Sequence, residues 1–277
     1  MRTRLLIATS VLCCFMAETA FADITDRINA LRTRDCNPGA ASLTKLRASK
    51  DLDQVAREWS KGGRLREALD RSGYRVVNSA SLRVEGTRDD DKIIQTLRAN
   101  YCEPLTNAQF TDLGLYRKGS DIWIVIALPF VTPTLRDASA IANRVLVLTN
   151  EARSKPRRCG SKSFKAAKPL TLSAGLTSAA LKHAQDMASH SHFEHAGTDG
   201  STPAQRVGKA GYAWLVVAEN IAAGARTADE VMEGWLNSPG HCSNLMSPMF
   251  TQMGVAYAVD MKSTAGIYWA QDFALPR

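Results

Sequence analysis

The segment HCSNLMSPMFTQMG (241–254) decides the fold, because a second version of it, YCEPLTNAQFTDLG (101–114), stands earlier in the chain. The two segments share Cys, Leu, Phe, Thr and Gly at one offset, since 242 − 102 = 140 and 254 − 114 = 140. Self-similarity of this kind predicts two copies of one structural unit. Three further pairs of segments agree with it: 28–36 with 149–159, 51–61 with 175–185, and 65–74 with 203–212.

The offset between the copies changes once along the chain. Leu176 follows Leu52 by 176 − 52 = 124 residues, whereas Tyr212 follows Tyr74 by 212 − 74 = 138 residues. The second copy therefore contains an insertion of 138 − 124 = 14 residues. We place this insertion around 189–202 and expect a loop there.

Hydrophobic periodicity predicts helices in the second copy. Apolar residues recur at helical spacing in 138–153 and again in 171–188. Two further helices are expected to begin at Thr202 and Thr227, each followed three residues later by Gln or Glu, as in a capping box. These patterns predict four helices in the second copy.

Strands follow the helices near the end of the chain. MGVAYAVD (253–260) and GIYWAQDFAL (266–275) alternate between apolar and polar residues and predict two strands. The stretch YAWLVVAENIAAG (212–224) is apolar but ends in turn residues, and we assign it no element. This order of elements predicts a strand layer covered by helices in each copy.

The N-terminus has the composition of a secretory signal. Arg2 and Arg4 precede an apolar stretch at 5–16, and Ala20-Phe21-Ala22 predicts cleavage before Asp23. The apolar stretch is too short to span a bilayer, so we expect no transmembrane anchor. We therefore interpret 1–22 as a signal peptide, 23–134 as the first copy and 135–277 as the second.

Export would bring the chain into an oxidising compartment, where cysteines pair. Four cysteines remain beyond the predicted signal, which permits three pairings and indicates two disulfides. Pairing within each copy would use the same geometry twice, so we predict Cys36–Cys102 and Cys159–Cys242. Each would contribute about 3–4 kcal/mol in the chain-entropy model.

The chain carries a formal net charge of +8, much of it in RSKPRRCGSKSFKAAK (153–168), which has seven basic residues and no acid. One interpretation is a contact with anionic lipid, cell-wall polymer or nucleic acid. The other, which we favour, is a solvated loop. Base-stacking aromatics are absent from the run beyond Phe164, so we expect no nucleic-acid partner.

Three residues of the second copy form a candidate metal site: His195, Glu219 and His241. Two imidazoles and one carboxylate suit a zinc-like divalent cation and leave a position open for water or ligand. In the first copy the loop with His195 is missing, Ser81 replaces Glu219, and Tyr101 replaces His241. The fold does not require the three residues, which favours a functional role for them.

The other histidines are weaker candidates. His183 corresponds to Trp59, which indicates a buried structural ring. His190 and His192 belong to HSHFEH (190–195), and we place them on a solvated loop with little chance of binding a metal.

The second copy resembles the bacterial branch of the CAP superfamily, which is also called SCP-like and includes cysteine-rich secretory proteins, antigen 5 and pathogenesis-related 1 proteins. The resemblance covers roughly 140–277, and the first copy resembles the family only through the repeat. It rests on the following motifs: LTNEARSK, HSHFEHAGTDGSTPAQRVGKAGY, AENIAAG, VMEGWLNSPGHCSNLMSPMFTQMGVAYA and YWAQDF.

The resemblance implies an α-β-α sandwich with a central cleft, so the predicted fold class is α/β with two such CAP-like domains in tandem. In the family, two histidines and acidic residues line the cleft and can hold a divalent cation. His195 and His241 match the two histidines, and Glu219 matches the family glutamate. The chain departs at Ala218, where a glycine is usual, and at Ser238, where many eukaryotic members have a second glutamate.

Two functions follow from these interpretations. The first is an exported binding protein, periplasmic or extracellular and non-catalytic, whose cleft holds a divalent cation such as zinc and binds a lipid, an envelope component or a partner protein. The alternative is a metal-assisted hydrolase of peptides or envelope polymers, with Glu219, His241 and His195 as its catalytic residues. For a hydroxyl nucleophile, Ser238 and Ser243 are better placed than Ser191.

Overall fold

The computed structural model describes residues 24–36 and 43–277, which form two compact units within 1–130 and 131–277. The predicted signal peptide at 1–22 lies outside the described residues. Within the described part of the chain, no helix is long and apolar enough to cross a membrane.

The first unit has a four-stranded sheet with helices on both faces. Its strands are ordered β1-β3-β4-β2, and only the β1–β3 pair is parallel. Its elements are α1 (24–30, continued by one π-helical turn, Leu31–Asp35), β1 (Arg47–Ala48), α2 (Lys50–Trp59), α3 (Leu65–Ser72), β2 (Val76–Val84), α4 (Asp90–Asn100), α5 (Cys102–Thr106), β3 (Asp112–Lys118) and β4 (Asp121–Pro129).

Strand β4 separates the two halves of the first unit's core, because its side chains alternate between the faces. Val125 and Ala127 pack with α2 and α3, whereas Ile124 and Ile126 pack with α1, α4 and α5. The unit therefore has three layers, with the sheet in the middle.

The second unit also has a central four-stranded sheet, ordered β7-β9-β10-β8. Its helices and strands are α6 (Ala138–Arg153, after a 3₁₀ turn at Leu135–Asp137), β5 (Arg157–Cys159), β6 (Lys162–Phe164), β7 (Thr171–Leu172), α7 (Ala174–His190), α8 (Pro203–Lys209), β8 (Trp214–Ala223), α9 (Ala228–Asn237), α10 (Pro239–Met246), β9 (Gln252–Val259) and β10 (Ile267–Pro276).

Strand β10 is the buried centre of this sheet. Tyr268 and Ala270 pack against α7 on one face. On the opposite face Gln271 reaches Thr149 of α6, and Trp235 of α9 donates to a β8 carbonyl. Helices thus cover both faces and leave β8 as an edge strand.

Both units repeat one set of polar contacts around a buried arginine. Asn29 exchanges two hydrogen bonds with the backbone of Leu46, and Asn150 does the same with Leu170. The buried guanidiniums bind only backbone carbonyls: Arg32 those of Thr44, Leu105, Asn107 and Phe110, and Arg153 those of Lys168, Leu245, Ser247 and Phe250. These contacts agree with the repeat, although the first unit's kinship to a CAP domain stays a prediction.

Both predicted disulfides are confirmed. Cys36–Cys102 joins α1 to α5 in the first unit, and Cys159–Cys242 joins β5 to α10 in the second. The predicted caps are also present, because the Thr202 and Thr227 hydroxyls accept from the third residue of their helices. Of these two caps, only that of Thr202 completes a capping box.

Two details of the second unit differ from the sequence interpretation. The stretch at 212–224 contains the ten-residue strand β8, because it completes the sheet beside β10 before Gly224 turns with φ +82°. The insertion is not only a loop, since α7 continues through His190 and ends where Ser191 takes φ +51°. His190 is therefore helical, and the loop proper is 191–202.

Candidate functional site

The candidate site lies at the sheet edge formed by β8. Glu219 belongs to this strand, His195 to the loop between α7 and α8, and His241 to the first turn of α10. Helix α10 contacts the edge directly, because Asn244 Nδ2 donates to the Glu219 carbonyl (3.2 Å) and Asn220 Nδ2 donates to the His241 carbonyl (3.3 Å). The fold thus brings residues from three separate motifs to one edge.

Glu219 is buried, with a side chain only 1% exposed, and both of its carboxylate oxygens have partners. Oε1 lies 2.8 Å from His195 Nδ1, and Oε2 accepts from Arg206 Nη2 at 2.7 Å. A carboxylate can only accept, so Nδ1 of His195 carries the hydrogen. In a neutral ring this leaves Nε2 with a free lone pair, on a side chain that is 53% exposed.

Arg206, from α8, connects the site to the inserted loop. Besides its bond to Glu219, it donates to the carbonyls of Ser201 (2.7 Å) and His195 (3.0 Å). Arg206 is only 8% exposed, so its ion pair with Glu219 is largely desolvated. Removal of either residue would leave the other charge buried without a partner. Arg206 therefore fixes both the carboxylate and the backbone that carries His195.

Asp272 is a second carboxyl group at the site. It stands opposite Glu219 in the β8–β10 register, it is 1% exposed, and neither of its oxygens has a hydrogen-bond partner among the described residues. Burial raises its pKa well above the ordinary value, and the charge of Glu219 raises it further. We therefore expect Asp272 to bind a proton far more readily than an exposed aspartate.

Replacing Asp272 with Asn is expected to stabilise the protein at neutral pH. Since the pKa is raised in the folded state, folding takes up a proton above about pH 4, and stability falls as the pH rises towards the folded pKa. Asp272→Asn has no carboxyl group at this position and therefore avoids this loss of stability. The limiting slope of the loss is about 1.4 kcal/mol per pH unit. Urea unfolding of both proteins from acidic to neutral pH measures the difference.

Asp229→Asn is the matched control, because this exposed aspartate has its pKa lowered by the Arg144 guanidinium. Its removal should produce no gain at neutral pH. Equal pH profiles for the wild type and Asp272→Asn would show that Asp272 titrates normally and would contradict the expectation.

The rings of His183 and His241 are more buried than that of His195. Burial lowers the pKa of His241, and repulsion from His195 lowers it further. His183 of α7 is fully buried, with Nε2 3.0 Å from the Glu194 carbonyl and 3.8 Å from Glu219 Oε1. Burial also lowers the pKa of His183, so both rings favour the neutral form.

The other residues of the HSHFEH stretch make their contacts away from Glu219. His190 Nδ1 lies 3.0 Å from the Asp186 carbonyl within α7, and His192 Nε2 lies 3.0 Å from the Ala196 carbonyl. Phe193 packs on Tyr268, with ring centroids 6.4 Å apart. Of the three histidines in this stretch, His195 is the one hydrogen-bonded to Glu219.

The candidate ligands His195, Glu219 and His241 differ in how well they suit a divalent cation. Within the described ranges, no group of three or more His, Cys, Asp or Glu side chains is placed to hold a metal ion. Glu219 already binds Arg206 and His195, whereas the imidazoles of His195 and His241 have nitrogen lone pairs to offer. The site fits a cation held by two imidazoles better than one held by all three residues, and a metal-ligating role stays a prediction.

Comparison with known proteins identifies the second unit. Residues 146–273 match the model of the cysteine-rich secretory protein family, CAP. This part of the chain is a CAP domain. The first unit lies outside the match, so one CAP domain is established.

One curated bacterial protein is similar to the CAP domain. An uncharacterised Bacillus subtilis protein, YkwD, is 33% identical over 135 residues, which are 49% of this chain and 47% of the relative. The chain thus spans about half the length of the curated relative that it matches.

Solved structures give weaker matches. An extracellular SCP-domain protein of Bacillus anthracis has a TM-score of 0.42 and 21% identity over 58% of this chain and 56% of its own. An outer surface protein of Borrelia burgdorferi has a TM-score of 0.41 and 20% identity over 52% of this chain and 96% of its own.

Sequence reasoning missed two residues at this site, Arg206 and Asp272. Asp272 had a visible signal, because it is a lone acid within the apolar strand YWAQDFAL. The repeat gave another, since the β2–β4 register pairs Ser81 with Val125 where β8–β10 pairs Glu219 with Asp272. Arg206 stands in the third repeat segment opposite Ala68, and nothing in its spacing indicates Glu219 as its partner.

Proposed function

We propose that the protein is an exported, non-catalytic binding protein whose CAP domain uses the cleft beside β8, formed by His195, Glu219 and His241. Two disulfides support export, because such bonds persist in oxidising compartments. The observation that carries the proposal is the buried Glu219–Arg206 pair, which presents an exposed imidazole at the sheet edge. A desolvated ion pair contributes little net stability, which favours a positioning role.

Each residue of the cleft has a separate task in this proposal. Arg206 holds Glu219, and Glu219 holds the His195 ring with Nε2 outward, as carboxylates orient metal-binding histidines in other proteins. His195 and His241 would hold a divalent cation, which would supply a Lewis-acidic position for an oxygen or nitrogen of the ligand. Glu219 is then an orienting residue and not a third ligand.

Hydrolysis is less well supported than binding. The Ser243 hydroxyl donates its proton to the Pro239 carbonyl (2.7 Å), and Ser191 Oγ accepts from the Thr264 amide (3.1 Å); among the described residues neither hydroxyl is hydrogen-bonded to a histidine or a carboxylate. The carboxylate that would activate a water is occupied by Arg206 and His195. These contacts weigh against a nucleophile–base pair.

Zinc titration by calorimetry tests the cleft. The wild type should bind one zinc ion, and His195→Ala/His241→Ala should lose at least about 100-fold in affinity, since both ligands are removed. Glu219→Gln should weaken binding by about 10–100-fold, as the loss of an orienting partner does.

The control is His190→Ala/His192→Ala, which removes two nearby histidines from the same stretch and should leave the affinity unchanged. Equal weak heats in the wild type and in the cleft double variant would refute the cation site. Loss of zinc binding in the control variant, with binding kept in the cleft double variant, would place the zinc site at His190 and His192.

A further inference from the structure

A second surface of the CAP domain is independent of the cleft. We define the cationic loop as residues 154–169, between the end of α6 and Leu170. We infer that this loop docks the protein on an anionic phospholipid bilayer through electrostatic contacts with the headgroups. Its six cationic side chains are all exposed: Lys155, Arg157, Arg158, Lys162, Lys165 and Lys168.

None of these six cations forms a close ion pair with another described residue. Among the ion pairs of the described residues, none within 4.0 Å involves the loop, whereas Arg144, Arg206 and Arg226 of the same unit each bind a carboxylate. Glu151, Asp229 and Glu233 border a groove together with two of the cations, Lys155 and Arg157. The other four cations do not border that groove.

The backbone of the loop is held by contacts at its ends and in its middle. At its ends, the Ala167 amide donates to the Arg153 carbonyl (2.9 Å) and Arg153 Nε donates to the Lys168 carbonyl (2.8 Å). In its middle, β5 and β6 form a hairpin that the Cys159–Cys242 disulfide ties to α10. A backbone that is already ordered loses little conformational entropy when the loop binds.

The fold does not need this charge. In the first unit, the matching segment between Arg32 and Leu46 has two basic residues and one acid, a net charge of +1. The cationic loop has six basic residues and no acid, a net charge of +6. Like charges at this density repel one another, so their concentration here indicates an anionic partner.

A bilayer fits the loop better than other polyanions do. Phe164, the loop's one aromatic residue, packs against the Cys159–Cys242 cluster, so it is not free to stack on bases. The charges are distributed over both strands and both ends of the loop, so an extended array of headgroups can meet several of them at once. Each Lys or Arg near such a surface contributes about 1 kcal/mol, and the attraction is screened by salt.

Vesicle co-sedimentation of the oxidised protein tests the inference. Vesicles of phosphatidylcholine with phosphatidylglycerol should bind the wild type at low salt and release it at high salt, whereas pure phosphatidylcholine should not bind it. Arg158→Gln/Lys162→Gln/Lys165→Gln should weaken binding by about 100-fold, since three contributions of about 1 kcal/mol are lost.

The matched control is Lys182→Gln/Lys262→Gln/Arg277→Gln, which removes the same net charge from exposed positions outside the loop. It should bind within about three-fold of the wild type. Three results would overturn the inference: equal binding to both kinds of vesicle, an equal loss in the control, or binding to soluble heparin or DNA without binding to vesicles.

Discussion

Arg206→Met should lower the free energy of unfolding of the CAP domain by about 3–5 kcal/mol at neutral pH, the usual cost of breaking a buried ion pair from one side. The reason is that the Glu219 carboxylate, whose side chain is only 1% exposed, would lose its cationic partner inside the fold. The His195 carbonyl would also lose its donor, and the Ser201 carbonyl would keep only the Gly197 amide. Urea unfolding followed by tryptophan fluorescence measures the change.

Two further variants separate this explanation from a simple loss of packing. Arg206→Met/Glu219→Gln removes the stranded charge and should recover most of the lost stability. Lys209→Met removes an exposed cation of the same helix, whose ion pair with Asp199 is also exposed, and should change nothing measurable. If the double variant were as unstable as Arg206→Met, the buried charge would not be the cause.

Gly254→Ala should destabilise the CAP domain by about 3 kcal/mol or more, at the upper end of what overpacking costs. A Cβ at Gly254 would lie 2.1 Å from the Thr177 nitrogen and 2.2 Å from the Leu176 carbonyl carbon, both in the backbone of α7. Backbone atoms cannot turn aside as side chains do, so α7 must move away from β9.

The control is Gly234→Ala, at an exposed position inside α9 where a Cβ meets nothing within 4 Å. Alanine favours helix by up to about 1 kcal/mol over glycine, so this variant should be slightly more stable. Both midpoints come from one urea series. Equal stability of Gly254→Ala and the wild type would show that α7 and β9 are not packed this closely.

The repeat made part of this fold predictable from the sequence. Gly114 of the first unit has the same environment as Gly254, because a Cβ there would lie 2.2 Å from the backbone of Leu52. The same local geometry thus requires the shared Cys and Gly residues in each of the two units. For the same reason the repeat alone selects one disulfide pairing from the three alternatives.

The missed features depend on tertiary contacts that no local pattern records. Helices cover both faces of strand β8, with α7 and α8 on one face and α9 and α10 on the other. Its residues therefore do not alternate between apolar and polar as those of a half-exposed strand do. The pairing of Arg206 with Glu219 joins α8 to the sheet edge across 13 residues. Helix α7 continues into the insertion because Ala184, Met187 and Ala188 still pack on the sheet.

The central claim is that His195 and His241 bind one cation while Glu219 only orients His195. Nitrogen NMR of the imidazoles of the five histidines during a zinc titration tests it most directly. We expect saturable shifts at His195 Nε2 and at one nitrogen of His241, with His195 Nδ1 still protonated and His183, His190 and His192 unchanged. Zinc-dependent shifts at His190 and His192 with none at His241, or loss of the His195 Nδ1 proton on binding, would contradict the claim.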